Sequence, residues 1–452
     1  MSNEQKENKM GVMPVRQLIV TMALPMMVSM LVQALYNIVD SIFVSYIGED
    51  ALTAVTLAYP IQNLMIAFGS GTGVGMNALL SRSLGEKNQK RADAAANNTM
   101  VIMLINMAIF ILFGLFGAEP FIRSQTDDAQ IIAYGSVYLH YICILSVGLF
   151  CQMYFERLLQ ATGRTLLSMY SQITGAVINI ILDPMLIFGI GIFPELGVEG
   201  AAIATVFGQT AASCLGLFMN KKYNPDVHIS LRGMAHPSGK IIGKIYYVGI
   251  PSTLMIAVGS LMTYLMNGIL MAFSSTATAV FGVYFKLQSF VFMPVIGLNN
   301  GIVPVLAYNY GAQKKDRIYE ALRFSIRLAF CIMLCGTILF ETIPGPLLSI
   351  FNASDEMLAI GIPALRIIAI HFPIAGICIV MGSIFQAFSR SMNSLIVSVC
   401  RQLVVLIPAA ALLARTGVLM NVWWAFPIAE VVSLTISTIL FRRLMREVVD
   451  PM

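Results

Sequence analysis

The sequence predicts an all-α membrane protein with twelve transmembrane helices in two pseudo-symmetric six-helix bundles. Three observations predict this fold class. Of the 452 residues, 58% are hydrophobic and only 11% are charged, whereas an ordinary soluble domain carries about 25% charged residues. Many apolar runs exceed the roughly 20 residues that cross a bilayer. Finally, the pattern of prolines, glycines and arginines repeats along the chain. A soluble globule, a disordered chain and a secreted disulfide scaffold are poor fits.

Twelve apolar runs supply the predicted helices. A polar start, Met1–Lys9, leads directly into the first run with no short hydrophobic region or small-residue cleavage site, so no cleavable signal peptide is expected. The predicted spans cover residues 17–46, 52–80, 93–117, 130–154, 165–190, 198–220, 244–272, 277–308, 319–342, 356–388, 391–414 and 421–443.

The basic residues predict the orientation of these spans. An even number of spans places both termini on one side of the membrane. If that side is the cytoplasm, 23 of the 28 lysines and arginines lie in cytoplasmic segments, as the positive-inside rule expects. This asymmetry also accounts for the net charge of +5, so no nucleic-acid partner is expected. The predicted partner is the lipid bilayer.

An internal repeat divides the chain. The shift that superimposes Pro25 on Pro251 also superimposes other residues at span starts and turns, where backbone geometry constrains the sequence. They are Gly75 with Gly301, Gly85 with Gly311, Arg91 with Arg317, Pro120 with Pro346, and Arg164 with Arg390. Each half holds six spans, so both halves enter the membrane in the same orientation, which predicts a parallel repeat.

The repeat predicts three regions. Residues 1–220 form an N-terminal six-helix bundle, residues 221–243 a cytoplasmic linker, and residues 244–452 a C-terminal six-helix bundle. Two such bundles with a cleft between them suit a transporter that works by alternating access.

Short motifs recur at the turns and in the spans. They are Ser81-Arg-Ser-Leu-Gly-Glu-Lys and Ala307-Tyr-Asn-Tyr-Gly-Ala-Gln-Lys after spans two and eight, Gln160-Ala-Thr-Gly-Arg and Gln386-Ala-Phe-Ser-Arg after spans four and ten, Leu24-Pro25 and Leu35-Tyr-Asn-Ile-Val-Asp40 in span one, and Asn179-Ile-Ile-Leu-Asp-Pro184 in span five. In order and spacing, the chain resembles the multidrug and toxic compound extrusion (MATE) family from Arg16 to Arg446, particularly its bacterial MepA-like branch. The resemblance implies cation-coupled efflux of bulky, often cationic drugs from a bacterial cell, and hence a role in antibiotic resistance.

Two intramembrane carboxylates are the main functional candidates. With a helical rise of about 1.5 Å per residue, Asp40 on span one and Asp183 on span five both fall in the outer half of the membrane and can face each other. Tyr36 and Asn179 precede them by four residues, which places each pair on one helix face. The alternatives are an interfacial Asp40 reached by water and a structural role for Asp183 at a helix end.

Two prolines strengthen this interpretation. Pro184 and Pro25 have no backbone N–H, so they cannot donate the helical hydrogen bonds to the carbonyls of Ile180 and Thr21, and these helices are expected to bend there as hinges. Free carbonyls beside carboxylates favour a bound proton or alkali cation. The resemblance implies that Asp40 and Asp183 are the family's N-lobe carboxylate pair, and it adds Thr205 on span six to the cation-coupling residues.

The other polar residues within spans require separate explanations. Arg401 and Glu430 fall at similar depth on spans eleven and twelve, where they can form a structural ion pair; the alternative is a second protonation site at Glu430. Glu156 and Glu341 are expected at the membrane interface. Candidates to line the substrate cavity are Gln33, Asn37, Met266, Asn267, Tyr284, Lys286 and His371.

These features predict a secondary antiporter that exchanges H⁺ or Na⁺ for drugs or toxic metabolites, acts as a monomer in the bacterial inner membrane, and needs no cofactor. The glycine run Gly69–Gly75 lacks the lysine that follows a phosphate-binding loop, so it predicts close helix packing or a hinge and no ATP site. The alternatives are a flippase for lipid-linked precursors, which would need a more cationic cavity, and an integral membrane enzyme. No HExxH or histidine cluster supports the enzyme.

Overall fold

The computed structural model describes residues 8–351 and 353–452, and this part of the chain is helical without any β-strand. The first seven residues of the predicted N-terminal bundle lie outside the described part. Short helices are Lys9–Val12, Ala118–Arg123, Leu231–Ala235 and Pro344–Ser349. The long helices are α1 Val15–Ser45, α2 Glu49–Gly85, α3 Gln89–Phe116, α4a Ala129–Ile144, α4b Val147–Ala161, α5 Thr165–Ile187, α6 Val198–Tyr223, α7 Gly239–Met271, α8 Ser275–Gly311, α9 Lys315–Thr342, α10a Asp355–Ala369, α10b Phe372–Ala387, α11 Ser391–Ala414 and α12 Leu419–Val449.

The long helices account for every predicted span. Within the described residues, ten of them are long and apolar enough to cross a membrane, and the bent pairs α4a–α4b and α10a–α10b raise the number to twelve. Each pair bends by 47°. The predicted fourth span ended at residue 154, whereas α4b continues to Ala161.

The internal repeat is visible in the backbone. Lys87 and Gln313, which the repeat superimposes, both adopt the left-handed conformation with φ of 55° and 57°. Gly163 and Ser389 are the next such pair, with φ of 87° and 59°. Since non-glycine residues rarely adopt positive φ, its recurrence at equivalent turns shows that the two halves share one backbone plan.

Side-chain contacts at the turns after α2 and α8 follow the same repeat. Arg91 Nε donates to Ser83 Oγ at 2.8 Å, and its counterpart Arg317 Nε donates to Asn309 Oδ1 at 2.9 Å. Arg317 Nη2 also donates to the carbonyl of Met13 at 2.8 Å. The repeated arginines therefore tie the end of one long helix to the start of the next.

Contacts between residues divide the chain into two compact units. One unit, called here the N-terminal unit, is Val28–Ile250; the other, the C-terminal unit, combines the chain up to Met27 with Pro251–Met452. The start of α1 thus packs with the second half of the chain, which the predicted limits of 1–220 and 244–452 did not anticipate. The assignment of two bundles and a linker as domains stays a prediction.

Close glycine contacts hold these helix starts in their units. In the N-terminal unit, a Cβ added to Gly75 on α2 would collide with the carbonyl oxygen of Ile245 on α7. In the C-terminal unit, a Cβ on Gly301 of α8 would lie 2.7 Å from the Cα of Ala23 on α1. The glycine run therefore serves close helix packing, as predicted, and the same contact type occurs at repeat-related positions.

Candidate cation-coupling site

Two helices of the N-terminal unit bring the predicted carboxylates together. Asp40 lies on α1 and Asp183 on α5, and their side chains are in hydrogen-bonding contact. Asp183 is fully buried, and Asp40 is half-buried. Two ionised carboxylates can only accept hydrogen bonds, so a hydrogen bond between them requires that one of the two carries a proton. Without that proton, the contact is favourable only when a cation lies between them.

Three of the four oxygens of this pair have no hydrogen-bond donor in the described part of the chain. Both carboxyl oxygens of Asp183, Oδ1 of Asp40 and Oδ1 of Asn179 are buried without a hydrogen-bond partner among the described residues. Buried polar atoms normally find a partner, and a buried charge without one is costly. An oxygen-rich cluster of this kind fits a proton or a hard monovalent cation such as Na⁺, both of which would act as transported ions.

Three neighbouring side chains complete the cluster. Asn179 lies one turn before Asp183 on α5, and its Nδ2 donates to Thr205 Oγ1 on α6 at 3.3 Å. Asn179 and Thr205 are both 2% exposed. The hydroxyl of Tyr36, one turn before Asp40, contacts the Thr205 side chain. The structure therefore brings all five predicted cation-coupling residues together, from three helices.

Sequence reasoning missed two residues here. Tyr138 on α4a is 2% exposed and interacts electrostatically with Asp40 and Asp183. Its side chain is also in hydrogen-bonding contact with Gln62 on α2. No pattern in the sequence links α2 or α4a to the carboxylates, because only tertiary packing decides which helix faces them. The one available signal was the polar character of Tyr138 and Gln62 within apolar runs.

The sequence places no equivalent pair at the matching positions of the C-terminal half. The repeat counterparts of Asp40 and Asp183 are Met266 and Ala409. Met266 is completely buried in the hydrophobic core of the C-terminal unit. The carboxylate pair is thus confined to one half of the duplicated chain.

The N-terminal unit contains a further buried carboxylate, Glu156 on α4b. Glu156 is 6% exposed, so the protein itself encloses it, and its expected position at the membrane interface stays a prediction. Its oxygens accept hydrogen bonds from Gln152 Nε2 and Gln172 Nε2, each at 2.8 Å. Glu156 lies on α4b, which extends past the predicted end of span four. Glu341, by contrast, is partly exposed and lies 3.9 Å from Arg366.

The C-terminal unit contains a cavity of about 530 Å³. Its wall includes two of the predicted substrate-cavity residues, Tyr284 and His371, and both residues of the predicted ion pair. Arg401 Nη1 lies 3.4 Å from Glu430 Oε2, and Glu430 is 2% exposed. Nδ1 of His371 shares a hydrogen bond with the carbonyl of Ile368 at 2.5 Å.

The remaining predicted cavity residues lie elsewhere. Met266 belongs to the hydrophobic core and does not line this cavity. Gln33 and Asn37 are exposed on α1, and Asn267 is half-buried on α7. Lys286 is exposed, and its ammonium lies 5.8 Å from the ring centre of Phe351.

The two predicted hinge residues lie inside helices. Pro25 interrupts α1, and Pro184 interrupts α5 one residue after Asp183. The chain passes from the C-terminal to the N-terminal unit after Met27, and back again at Pro251, the repeat partner of Pro25. The prolines of α1 and α7 therefore lie where these helices change unit.

Up to twelve candidate spans within the described residues repeat along the chain, and two carboxylates on different helices contact each other among them. These features define the class of protein as an integral membrane transporter built on an internal repeat. The chain belongs to the MatE family, whose sequence model matches residues 25–185 and again residues 251–412. The two matches begin at Pro25 and Pro251, the two prolines that the repeat superimposes. Members of this family are transporters and not enzymes, as predicted.

Curated relatives cover most of the chain. It is similar to a FAD transporter of Shewanella oneidensis, with 27% identity over 412 residues, 88% of each chain. It is also similar to the multidrug export protein MepA of Staphylococcus aureus, with 26% identity over 421 residues, 92% of this chain and 91% of that one.

Solved structures confirm the predicted fold class. A multidrug resistance MATE family transporter in an outward-facing conformation superimposes with a TM-score of 0.93 at 24% identity, over 100% of both chains. A transporter of the MOP superfamily from Pyrococcus furiosus matches with a TM-score of 0.92 at 24% identity, over 99% of both chains. At this identity the similarity concerns the fold alone.

Proposed function

We propose that the protein is a secondary active multidrug exporter that exchanges H⁺ or Na⁺ for its substrate by alternating access. The observation that carries this proposal is the contact between Asp40 and Asp183, whose buried oxygens have no donor among the described residues. The similarity to MepA proteins, which are named multidrug export proteins, supports the choice of substrate class.

The proposed ion acts by neutralising the carboxylate pair. Binding of a proton or Na⁺ removes the repulsion between Asp40 and Asp183 and satisfies oxygens that otherwise lack a partner. Asn179 and Thr205 add neutral oxygens, and Tyr36 contacts Thr205 from α1. Because the ion can drive transport only if it binds two conformations unequally, the pair must come apart or become hydrated in the other state.

Helix α1 is the element that transmits this change. It carries Asp40 in the N-terminal unit, and its first half belongs to the C-terminal unit. Pro25 lies two residues from the point of transfer, and because it has no backbone N–H it cannot donate the regular hydrogen bond of an α-helix. We propose that α1 bends at Pro25 when the ion binds, and that Pro184 allows a smaller adjustment of α5 beside Asp183.

The flippase alternative is not favoured. A diphosphate head group would need several cations, whereas Arg401 is the one lysine or arginine among the described residues that line the cavity of the C-terminal unit, and it faces Glu430. We further propose that the protein acts as a monomer in the bacterial inner membrane with both termini in the cytoplasm, in accord with the distribution of basic residues.

Transport by the purified protein in proteoliposomes tests this function. A pH gradient and a sodium gradient are imposed separately, and the uphill movement of a fluorescent cationic drug is followed together with ion flux. We expect one of the two gradients to drive drug movement and the drug to release the coupled ion. Drug movement that needs neither gradient, or ATP hydrolysis by the protein, would overturn the proposal.

A further inference from the structure

The cavity of the C-terminal unit combines aromatic walls with a basic group. Its volume of about 530 Å³ lies within the range of small-molecule sites. Tyr284 and Phe426 form one part of the wall, with ring centres 5.9 Å apart, and His371 stacks on Phe426 at 6.1 Å. Gln288 and Gln402 add amide groups. Such walls suit a planar aromatic molecule that also forms hydrogen bonds.

Arg401 supplies unused hydrogen-bond donors to this cavity. Its guanidinium carries five N–H donors, yet within the described residues it makes a single hydrogen bond, from Nη1 to Glu430 Oε2 at 3.4 Å. Charge-assisted bonds of this type are usually about 2.7–2.9 Å long, so the pair is loose. The Arg401 side chain is 30% exposed, which leaves it accessible from the cavity.

The side chain of Glu430 is much less exposed than that of Arg401. Its side chain is 3% exposed, and its Oε1 has no partner in the described part of the chain. A buried carboxylate needs a counter-charge, and Arg401 provides it. Both residues line the cavity, but Arg401 presents much more of its side chain than Glu430 does, so the more accessible charge of the pair is positive.

The backbone around Arg401 is specialised. Residues Cys400–Leu406 of α11 form a π-helical turn just before Pro408. Proline cannot supply the N–H of a regular helix, and π-helical turns occur frequently at functional sites. The repeat counterparts of Arg401 and Glu430 are Gly175 and Ala204, so the pair is confined to the C-terminal half.

We infer that this cavity binds an aromatic compound that carries an oxyanion, a carboxylate or a phosphate, on the Arg401 guanidinium. The ring lies among Tyr284, His371 and Phe426, the oxyanion accepts two N–H donors from Arg401, and Glu430 holds the guanidinium when no ligand is present. Guanidinium geometry matches carboxylate and phosphate oxygens in a bidentate manner. The inference rests on the proposed export function and names a substrate class for it.

Two flavins that share one ring system provide the test. Flavin mononucleotide carries a phosphate and riboflavin does not, so the ratio of their dissociation constants reports the oxyanion contact. Binding to the purified protein in detergent is measured by flavin fluorescence polarisation. We expect the phosphate to tighten binding by about tenfold or more, as a charge-assisted bond does.

Variants assign this difference to the ion pair. R401Q should abolish the preference for the phosphate, and E430Q should strengthen it, because the guanidinium loses its competitor. The double variant R401Q/E430Q removes both charges without leaving a lone buried carboxylate, and it should bind both flavins equally. Arg415→Gln, at an exposed arginine beyond the end of α11, is the matched control and should keep the wild-type ratio.

Three results would overturn the inference: equal affinity of the wild-type protein for both flavins, an unchanged ratio in R401Q and in the double variant, or weaker phosphate binding in E430Q. Binding in detergent requires no ion gradient. Failure here with intact gradient-driven drug export therefore refutes the oxyanion site alone, whereas flavin binding without any coupled transport refutes the export function.

Discussion

Removal of one charge from the carboxylate pair should uncouple transport. Asp40→Asn keeps the shape of the side chain and removes the negative charge that faces Asp183. At about 4 Å and an effective dielectric constant of about 20, two carboxylates repel each other by about 4 kcal/mol. A monovalent cation that neutralises one of them gains this energy in the wild-type protein and not in the variant.

This energy sets the size of the expected effect. At about 1.4 kcal/mol per factor of ten, the affinity of the site for its ion should fall by up to about a thousandfold in Asp40→Asn. Asp183→Asn should act in the same way. The double variant leaves no carboxylate in the pair, so it should lose ion binding completely. Since the two residues are in contact, their separate effects are not expected to add.

Ion binding and drug transport measure this effect together. Ion affinity is obtained by isothermal titration of the purified protein, and drug efflux is followed in proteoliposomes with an imposed gradient. Asp50→Asn is the matched control, since Asp50 is an exposed carboxylate in the same unit. Wild-type ion affinity and uphill efflux in both single variants would refute the role of the pair.

Two further predictions concern stability. Gly75→Ala should lower the Tm in detergent by an amount equivalent to about 1–3 kcal/mol, because the added Cβ meets the backbone of the neighbouring helix. Gly268→Ala is the control, since a Cβ there meets open space, and it should not destabilise the protein. Gln172→Leu should cost about 1.5–3 kcal/mol, because it removes a donor from the buried carboxylate of Glu156. An unchanged Tm in Gly75→Ala, or in Gln172→Leu at neutral pH, would contradict these packing and hydrogen-bond arguments.

Features encoded locally were predictable from the sequence. The spans follow from apolar runs, and the repeat follows from prolines, glycines and arginines at turns. Pro25 and Pro251 mark the same offset that reappears in the positive φ of Lys87 and Gln313. Each of these signals depends on a few neighbouring residues and on the membrane, so no tertiary information is needed to read them.

The sequence also predicted which residues join the carboxylate cluster, since the depth of a residue in the membrane can be counted along a helix. Asp40 and Asp183 were placed at similar depth, and the four-residue spacing assigned Tyr36 and Asn179 to their faces. Counting along spans eleven and twelve also placed Arg401 and Glu430 at similar depth. The rotation of each helix about its own axis is not encoded in depth, and it decides which side chains meet.

The sequence by itself determined the fold class and the family and predicted the residues that we propose to hold a coupling ion, because hydrophobicity, turn residues and charge in hydrocarbon act locally. Only the tertiary structure placed Tyr138 and Gln62 beside the carboxylates, enclosed Glu156 between two glutamines, and opened a cavity beside Arg401. These features depend on which helix faces meet and on a π-helical turn in α11. Packing among many distant residues decides which helix faces meet, and no local pattern in the chain specifies that outcome.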